Sequence, residues 1–136
     1  MRLASLAQDF WELRSGEEAH ALSPATFWIP DLLARTSLRR GQAARLIFDI
    51  EGFEEDGSIA VQGERMWVIV AEIVGDTYVG ILDNQPVCLD PADDVYLRFG
   101  AEIPFGPQHV IDIGEPPTEY TEWQLGQAPE RRWPRE

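Results

Sequence analysis

Lysine is absent from this 136-residue chain: its eleven basic residues are all arginine, and they face twenty-four aspartates and glutamates for a formal net charge of −13. A chain without an ε-amino group holds no Walker-type phosphate loop, no pyridoxal Schiff base and no lysine nucleophile. Basic surface is equally scarce, and a sequence pI near 4.4 argues against a nucleic-acid binder that works by neutralising phosphates. Cysteine occurs once, so Cys88 closes no internal disulfide. With only His20 and His109 beside it, it completes no zinc cluster of standard spacing. Long apolar runs are missing too. The longest uncharged one, Met66 to Ala71, is far too short to span a bilayer, and Asp9 and Glu12 interrupt the apolar N-terminus before it reaches signal-peptide length. The expectation is a cytoplasmic protein without membrane or nucleic-acid contact, cofactor or metal. Its acidity favours cationic partners, a basic protein among them, metal ions or plain solubility.

What is present suits one domain, since a chain of this length buries about two thirds of the surface its unfolded form exposes. Leu3, Leu6, Ala7, Phe10 and Leu13 fall near helical spacing and predict an amphipathic helix over residues 3–13, stopped by Gly16. Ser23-Pro24 predicts a second helix that Pro30 breaks, leaving Asp31 to Arg35 as a turn or short helix. From Gln42 the period becomes two: Ala44, Leu46, Phe48 and Ile50 alternate with Arg45, Ile47, Asp49 and Glu51, which predicts a strand with one apolar face. Glu51 to Gly63 carries an Asp56-Gly57 turn and predicts a hairpin or long excursion. Met66 to Val74 is apolar on both parities except at Glu72 and predicts a central strand covered on both faces, most economically by the N-terminal helices. Further strands are predicted over Thr77 to Leu82 and Val95 to Phe99, flanking a turn at Asp83 to Pro86. Residues 114–136 hold four prolines and predict an extended tail, with Trp123 and Trp133 packing part of it on the body. The charge excess is uneven: residues 1–41 balance to zero, 42–113 carry −11 and 114–136 carry −2.

Candidate chemistry is sparse. A Cys88/His109 dyad needs an exposed thiol beside a base, and Cys88 between Val87 and Leu89 reads better as a buried small hydrophobe. A serine triad would use His109 and Asp112, yet no serine stands in a Gly-x-Ser-x-Gly elbow. Glu51, Glu54, Glu55 and Asp56 lack the spacing of a calcium loop, and Asp90, Asp93 and Asp94 would share a cation with them only if the fold joined the two turns. Glu72 is the most suggestive carboxylate, because burial in an apolar strand raises a carboxyl pKa; an edge position or pairing with Arg65 or Arg98 accounts for it equally. Glu64-Arg65-Met66-Trp67 is more informative. It places Arg65 and Trp67 on one face at a strand's start, where a guanidinium and an indole build a recognition surface. Asp83, Asn84, Gln85 and Pro86, with the loop from Pro104 to His109, would form its rim.

Phe27-Trp-Ile-Pro, then Glu64-Arg-Met-Trp-Val-Ile-Val, then Tyr78-Val-Gly-Ile-Leu-Asp-Asn-Gln-Pro and Phe105-Gly-Pro-Gln-His-Val-Ile-Asp-Ile together resemble small bacterial domains of unknown function, closest to the family numbered 2314. The resemblance covers roughly residues 27–113. That family has no established activity, so the resemblance implies a fold and no catalytic residues.

The combined expectation is one α+β domain over residues 1–113, helical over 1–41 and β over 42–113, with 114–136 as tail. Its sheet is mainly antiparallel and bent, or a small partly open barrel, of five to six strands covered by N-terminal helices. The expected function is a non-enzymatic protein- or peptide-binding module, monomeric or weakly dimeric, with an immunity- or antitoxin-like role against a basic partner. Its contact residues are Arg65, Trp67, Asp83, Asn84, Gln85, Pro86 and His109. The alternative is a small-ligand binder or enzyme using a pocket around Trp67 and His109.

Overall fold

The computed structural model describes residues 1–136. Its elements in chain order are α1 (Leu6–Asp9), β1 (Trp11–Leu13), α2 (Gly16–Leu22), α3 (Leu32–Thr36), β2 (Ala43–Phe53), β3 (Ile59–Val74), β4 (Thr77–Leu82), β5 (Glu102–Phe105), a 3-10 turn (Pro107–His109), β6 (Asp112–Gly114) and α4 (Thr118–Leu125). The six strands form one antiparallel sheet in the order β1-β2-β3-β4-β5, with β6 pairing the start of β2 beyond the reach of β1. The sheet curls into a half-barrel, preceded by the N-terminal helix α1, and the α+β expectation holds.

Alternation decides which side chains face inward. Ala44, Leu46, Phe48 and Ile50 of β2 join Met66, Val68 and Val70 of β3, Tyr78 and Leu82 of β4, and Ile103 and Phe105 of β5 in one buried cluster. A register slip of one residue would turn every one of these to the other face. The curl has two local causes. Gly80 lies opposite Val70, and a Cβ there would come within 2.7 Å of Val68 Cγ2 and 3.2 Å of Phe105 Cε1, so only glycine lets the concave side close this tightly. Immediately beyond, the register shifts between Val70 and Glu72, and such a bulge sharpens the local twist. Trp11, Leu38, Leu97, Val110 and Trp133 fill the concavity from outside the long strands.

The helices are short and locally capped. The side chains of Ser5, Ser15 and Asp31 accept from the amides three residues on, starting α1, α2 and α3, each bond contributing about 1 kcal/mol. The predicted helix over residues 3–13 is corrected: α1 ends at Asp9 because Phe10 turns left-handed (φ 67°), and Trp11 then pairs with Ile50 as an edge strand. Gly16 does not stop a helix. It opens α2, where a Cβ would meet Ile111 Cγ2 at 2.8 Å. The helix expected from Ser23-Pro24 is a single turn, with the Phe27 amide donating to Ser23 O at 2.8 Å; Pro30 leaves no room to extend it.

Val95 to Phe99 forms no strand. Tyr96 and Leu97 pack over the core as irregular chain, and the strand that follows is β5, which starts at Glu102 rather than Val95. Segment 114–136 is not extended throughout: α4 lies against β3, and Trp133 is buried in the core cluster. Arg131 bridges Ala101 in parallel, and the Trp133 Nε1 donates to Arg2 O at 2.9 Å, so the two termini close on each other. Trp123 stays exposed. No helix is long and apolar enough to cross a membrane.

Candidate functional site

Arg65 and Trp67 leave β3 on the outer face of the sheet, where the register sets Arg45 opposite Trp67 and Ile47 opposite Arg65. Two guanidinium–aromatic pairs follow. Arg45 Cζ is 5.9 Å from the Trp67 ring centroid and Arg65 Cζ is 5.3 Å from that of Phe27, each an attraction of about 0.5–1 kcal/mol at an exposed position. Phe27 belongs to the α2–α3 connection, which is held by the His20 Nδ1 donating to Phe27 O at 2.7 Å. Phe27, Trp28, Arg45, Arg65, Ile111 and Asp112 line a cleft of about 210 Å³, with Trp67 outside its lining. Trp28 is 68% exposed. The molecule's ion pairs use Arg2, Arg14, Arg35, Arg39, Arg131 and Arg135; Arg45 and Arg65 have no carboxylate, and the buried Nε of Arg45 has no acceptor.

The turn expected to rim this surface is instead bonded inward. Asn84 Oδ1 accepts from the Trp67 amide at 2.7 Å, and the Asp83 amide donates to Trp67 O at 2.9 Å. Asp83 accepts from the Tyr120 hydroxyl and from Gln124 Nε2, which fastens α4 to the end of β4. Desolvation raises the Asp83 pKa against those two bonds, and the Tyr120 hydroxyl is itself pushed up to about 12 by burial and by Asp83. Gln85 Oε1 accepts from the Phe99 amide at 3.3 Å, and Pro86 is buried. Asp83 and Asn84 thus position Trp67 and α4, while Gln85 holds Phe99.

His109 does not share a cavity with Trp67. It lines clefts on the side of α2 and Leu13, is 6% exposed, and its Nδ1 accepts from the Gly106 amide at 2.9 Å. Burial lowers its pKa to about 4, so it is neutral at pH 7. Arg35 anchors the same region, donating to Pro30 O, Pro107 O and Glu17. Cys88 packs against the core, and burial with a hydrogen bond donated to Glu64 pushes its thiol up to about 12, far from a nucleophilic thiolate. Glu72 pairs with neither Arg65 nor Arg98; its partner is Arg135 at 3.0 Å. Nowhere do three or more His, Cys, Asp or Glu side chains gather as a metal site, so the two acidic turns do not combine.

Sequence reasoning missed Arg45 and gave Trp28 no role at the site. Arg45 was legible in principle: it shares the outward parity of β2 with Ile47, as Arg65 and Trp67 do in β3, and only the hairpin register was needed to join them.

The largest apolar cleft lies elsewhere, at the mouth of the half-barrel. About 430 Å³ in volume, it is walled by Phe10, Trp11 and Ile50 on the strand side and by Leu89, Val95 and Leu97 of the irregular segment opposite. The Trp11 indole is buried against Phe48, Tyr96 and Trp133, and its Nε1 has no acceptor, a deficit of about 1–3 kcal/mol that the fold tolerates here.

No family model matches the chain, and neither a curated protein nor a solved structure matches it.

Proposed function

We propose that the chain is a non-enzymatic protein-binding module whose outer-face cleft takes a peptide segment presenting a carboxylate beside an apolar side chain. The observation that carries this reading is the pair Arg45 and Arg65: two guanidinium groups over aromatic rings that form no ion pair, not even with Asp112 on the same cleft, in a protein with more than two acids for every arginine. Arginine accepts carboxylates in bidentate geometry, and arginine with exposed tryptophan is the composition of interaction hot spots. Leu22, Leu32 and Leu33, also exposed, extend the apolar surface along α2 and α3. His109 and Cys88, two of the groups nominated for acid–base or thiol chemistry, are engaged inside the fold and Glu72 is held by Arg135, which favours binding over catalysis.

A second reading has its own observation. The tip of the β2–β3 hairpin exposes Phe53, Ile59 and Val61 beside Glu51, Glu54, Glu55 and Asp56, a face suited to a basic partner of the kind an immunity-like protein would meet. The two readings differ in the sign of their salt response. A carboxylate-bearing partner is repelled at long range by the −13 charge, so salt strengthens its association; a basic partner is attracted, so salt weakens it.

Peptide-display selection on the wild type, with the Arg45→Ala/Arg65→Ala double variant as counter-target, tests the proposal. Enrichment of acidic peptides with aromatic or aliphatic neighbours, lost on the double variant, supports it. Enrichment of basic peptides that survives the double variant moves the site to the hairpin tip, and no enrichment overturns both.

A further inference from the structure

We propose that the cleft at the half-barrel mouth is a small-molecule site, separate from the outer-face cleft, for an uncharged apolar ligand whose carbonyl oxygen accepts from the Trp11 indole. Its volume of about 430 Å³ lies within the range of small-molecule sites, and barrel mouths are a common place for them. Trp11 lines the cleft and is 2% exposed, and its Nε1 is buried with no acceptor. A buried donor without a partner is rare in a folded protein and calls for an acceptor. The same aromatic cluster contains a satisfied indole for comparison: Trp133, 5.7 Å from Trp11 between ring centroids, donates from its Nε1 to Arg2 O at 2.9 Å. Filling the core requires the Trp11 ring but not its N–H.

The rest of the lining sets the chemistry of the ligand. Phe10, Ile50, Leu89, Val95 and Leu97 supply aromatic and aliphatic walls, which suit an aromatic or branched aliphatic body. The acidic groups are engaged or directed away: Asp9 is held by Arg2 and Asp94 by Arg131, and Glu51 has the outward parity of β2. No basic residue joins them on the lining, so an anionic acceptor would be desolvated without a counter-charge. The net charge of −13 repels it further. A neutral carbonyl, as in a ketone, ester or amide, meets the indole without that cost.

The wall opposite the strands supplies the way in. Between Asp90 and Val95 the main-chain hydrogen bonds are turns within the stretch, Asp93 N to Asp90 O and Val95 N to Asp93 O, each at 3.0 Å. A segment tied this locally shifts to admit a ligand to Trp11 while the sheet stays intact.

The test titrates 2-acetylnaphthalene, its hydrocarbon isostere 2-isopropenylnaphthalene and the anion 2-naphthoate into the full chain, followed by amide and indole chemical-shift mapping. We expect shifts confined to residues 8–11, 50–51 and 89–97, with the Trp11 indole N–H moving further downfield for the ketone than for the hydrocarbon. The naphthoate is expected to bind about tenfold more weakly than the ketone. Trp11→Phe keeps an aromatic ring and removes the donor; it is expected to lower the ketone-to-hydrocarbon affinity ratio about tenfold relative to wild type. The indole comparison is made on the wild type, so it decides the question whatever the stability of the variant. An indole that answers ketone and hydrocarbon alike, an affinity ratio unchanged in Trp11→Phe, tighter binding of the naphthoate, or no shifts at this cleft would overturn the proposal.

Discussion

Arg135 and Arg65 both lie against the sheet and use the same guanidinium in opposite ways. Arg135 reaches Glu102 at 2.7 Å and Glu72 at 3.0 Å and ties the C-terminal segment to β5 and β3. Arg65 meets the face of Phe27 and no carboxylate. Arg135 stands in an arginine-rich stretch with Arg131 and Arg132, and Arg65 stands beside Glu64, so local sequence does not foretell their roles; what differs is whether the fold delivers an acceptor. A cation whose hydrogen bonds are satisfied internally belongs to the architecture, and one that is stacked but unsatisfied is available to another molecule.

The largest effect expected on the internal side of this comparison comes from His109. Its folded pKa of about 4 lies below the ordinary 6.5, so the unfolded chain takes up a proton in the window between them while the native state does not. Stability from this group is complete above pH 6.5 and falls by about 3 kcal/mol as pH drops to 4. His109→Asn, which keeps an acceptor for the Gly106 amide, should flatten that slope in urea denaturation measured across the window.

Arg135→Ala comes next. Desolvation works to raise the Glu102 pKa, but the Arg135 bonds and the Trp133 amide outweigh it and hold the carboxyl below its usual range. Removing Arg135 leaves a buried carboxylate with the Trp133 amide alone. We expect a loss of about 2 kcal/mol at pH 7, below that of a fully buried pair because Arg135 is partly exposed. The sign follows from the depressed pKa: the wild type holds this stability above about pH 4.5 and loses it as Glu102 protonates, so the deficit of the variant should shrink in urea midpoints taken at pH 4.

Tyr120→Phe removes one of two bonds to Asp83 and should cost about 1 kcal/mol, read as roughly fivefold faster hydrogen exchange across α4 with the strands unchanged. Arg65→Ala should be smallest, within about 1 kcal/mol of wild type by thermal denaturation, while abolishing capture of the acidic peptide. If it destabilised the protein as much as Arg135→Ala, the distinction between architectural and available arginines would collapse.

The reading of the site from sequence was partial for a physical reason. Arg65 and Trp67 were recognisable because a strand's two-residue period is local. Asp83 to Pro86 was recognised as a turn, but the same residue types that make turns also bond inward, and Asn84 and Asp83 do so. His109 and Trp67 are set apart by the course of β5, the 3-10 turn and β6, none of which has enough residues to announce itself by periodicity.

The sequence by itself determined the inward faces of the long strands and the lack of lysine and of a second cysteine, because each depends on residues close together in the chain or on composition. Tertiary structure alone decided that β1, β5 and β6 are strands and that 118–125 is a helix, since three- and four-residue strands are stabilised by their neighbours and α4 has no apolar stripe to mark it. It also decided which arginines find carboxylates. That depends on pairs as distant as Glu72 with Arg135 and Arg45 with Trp67, which only strand register and chain closure bring together.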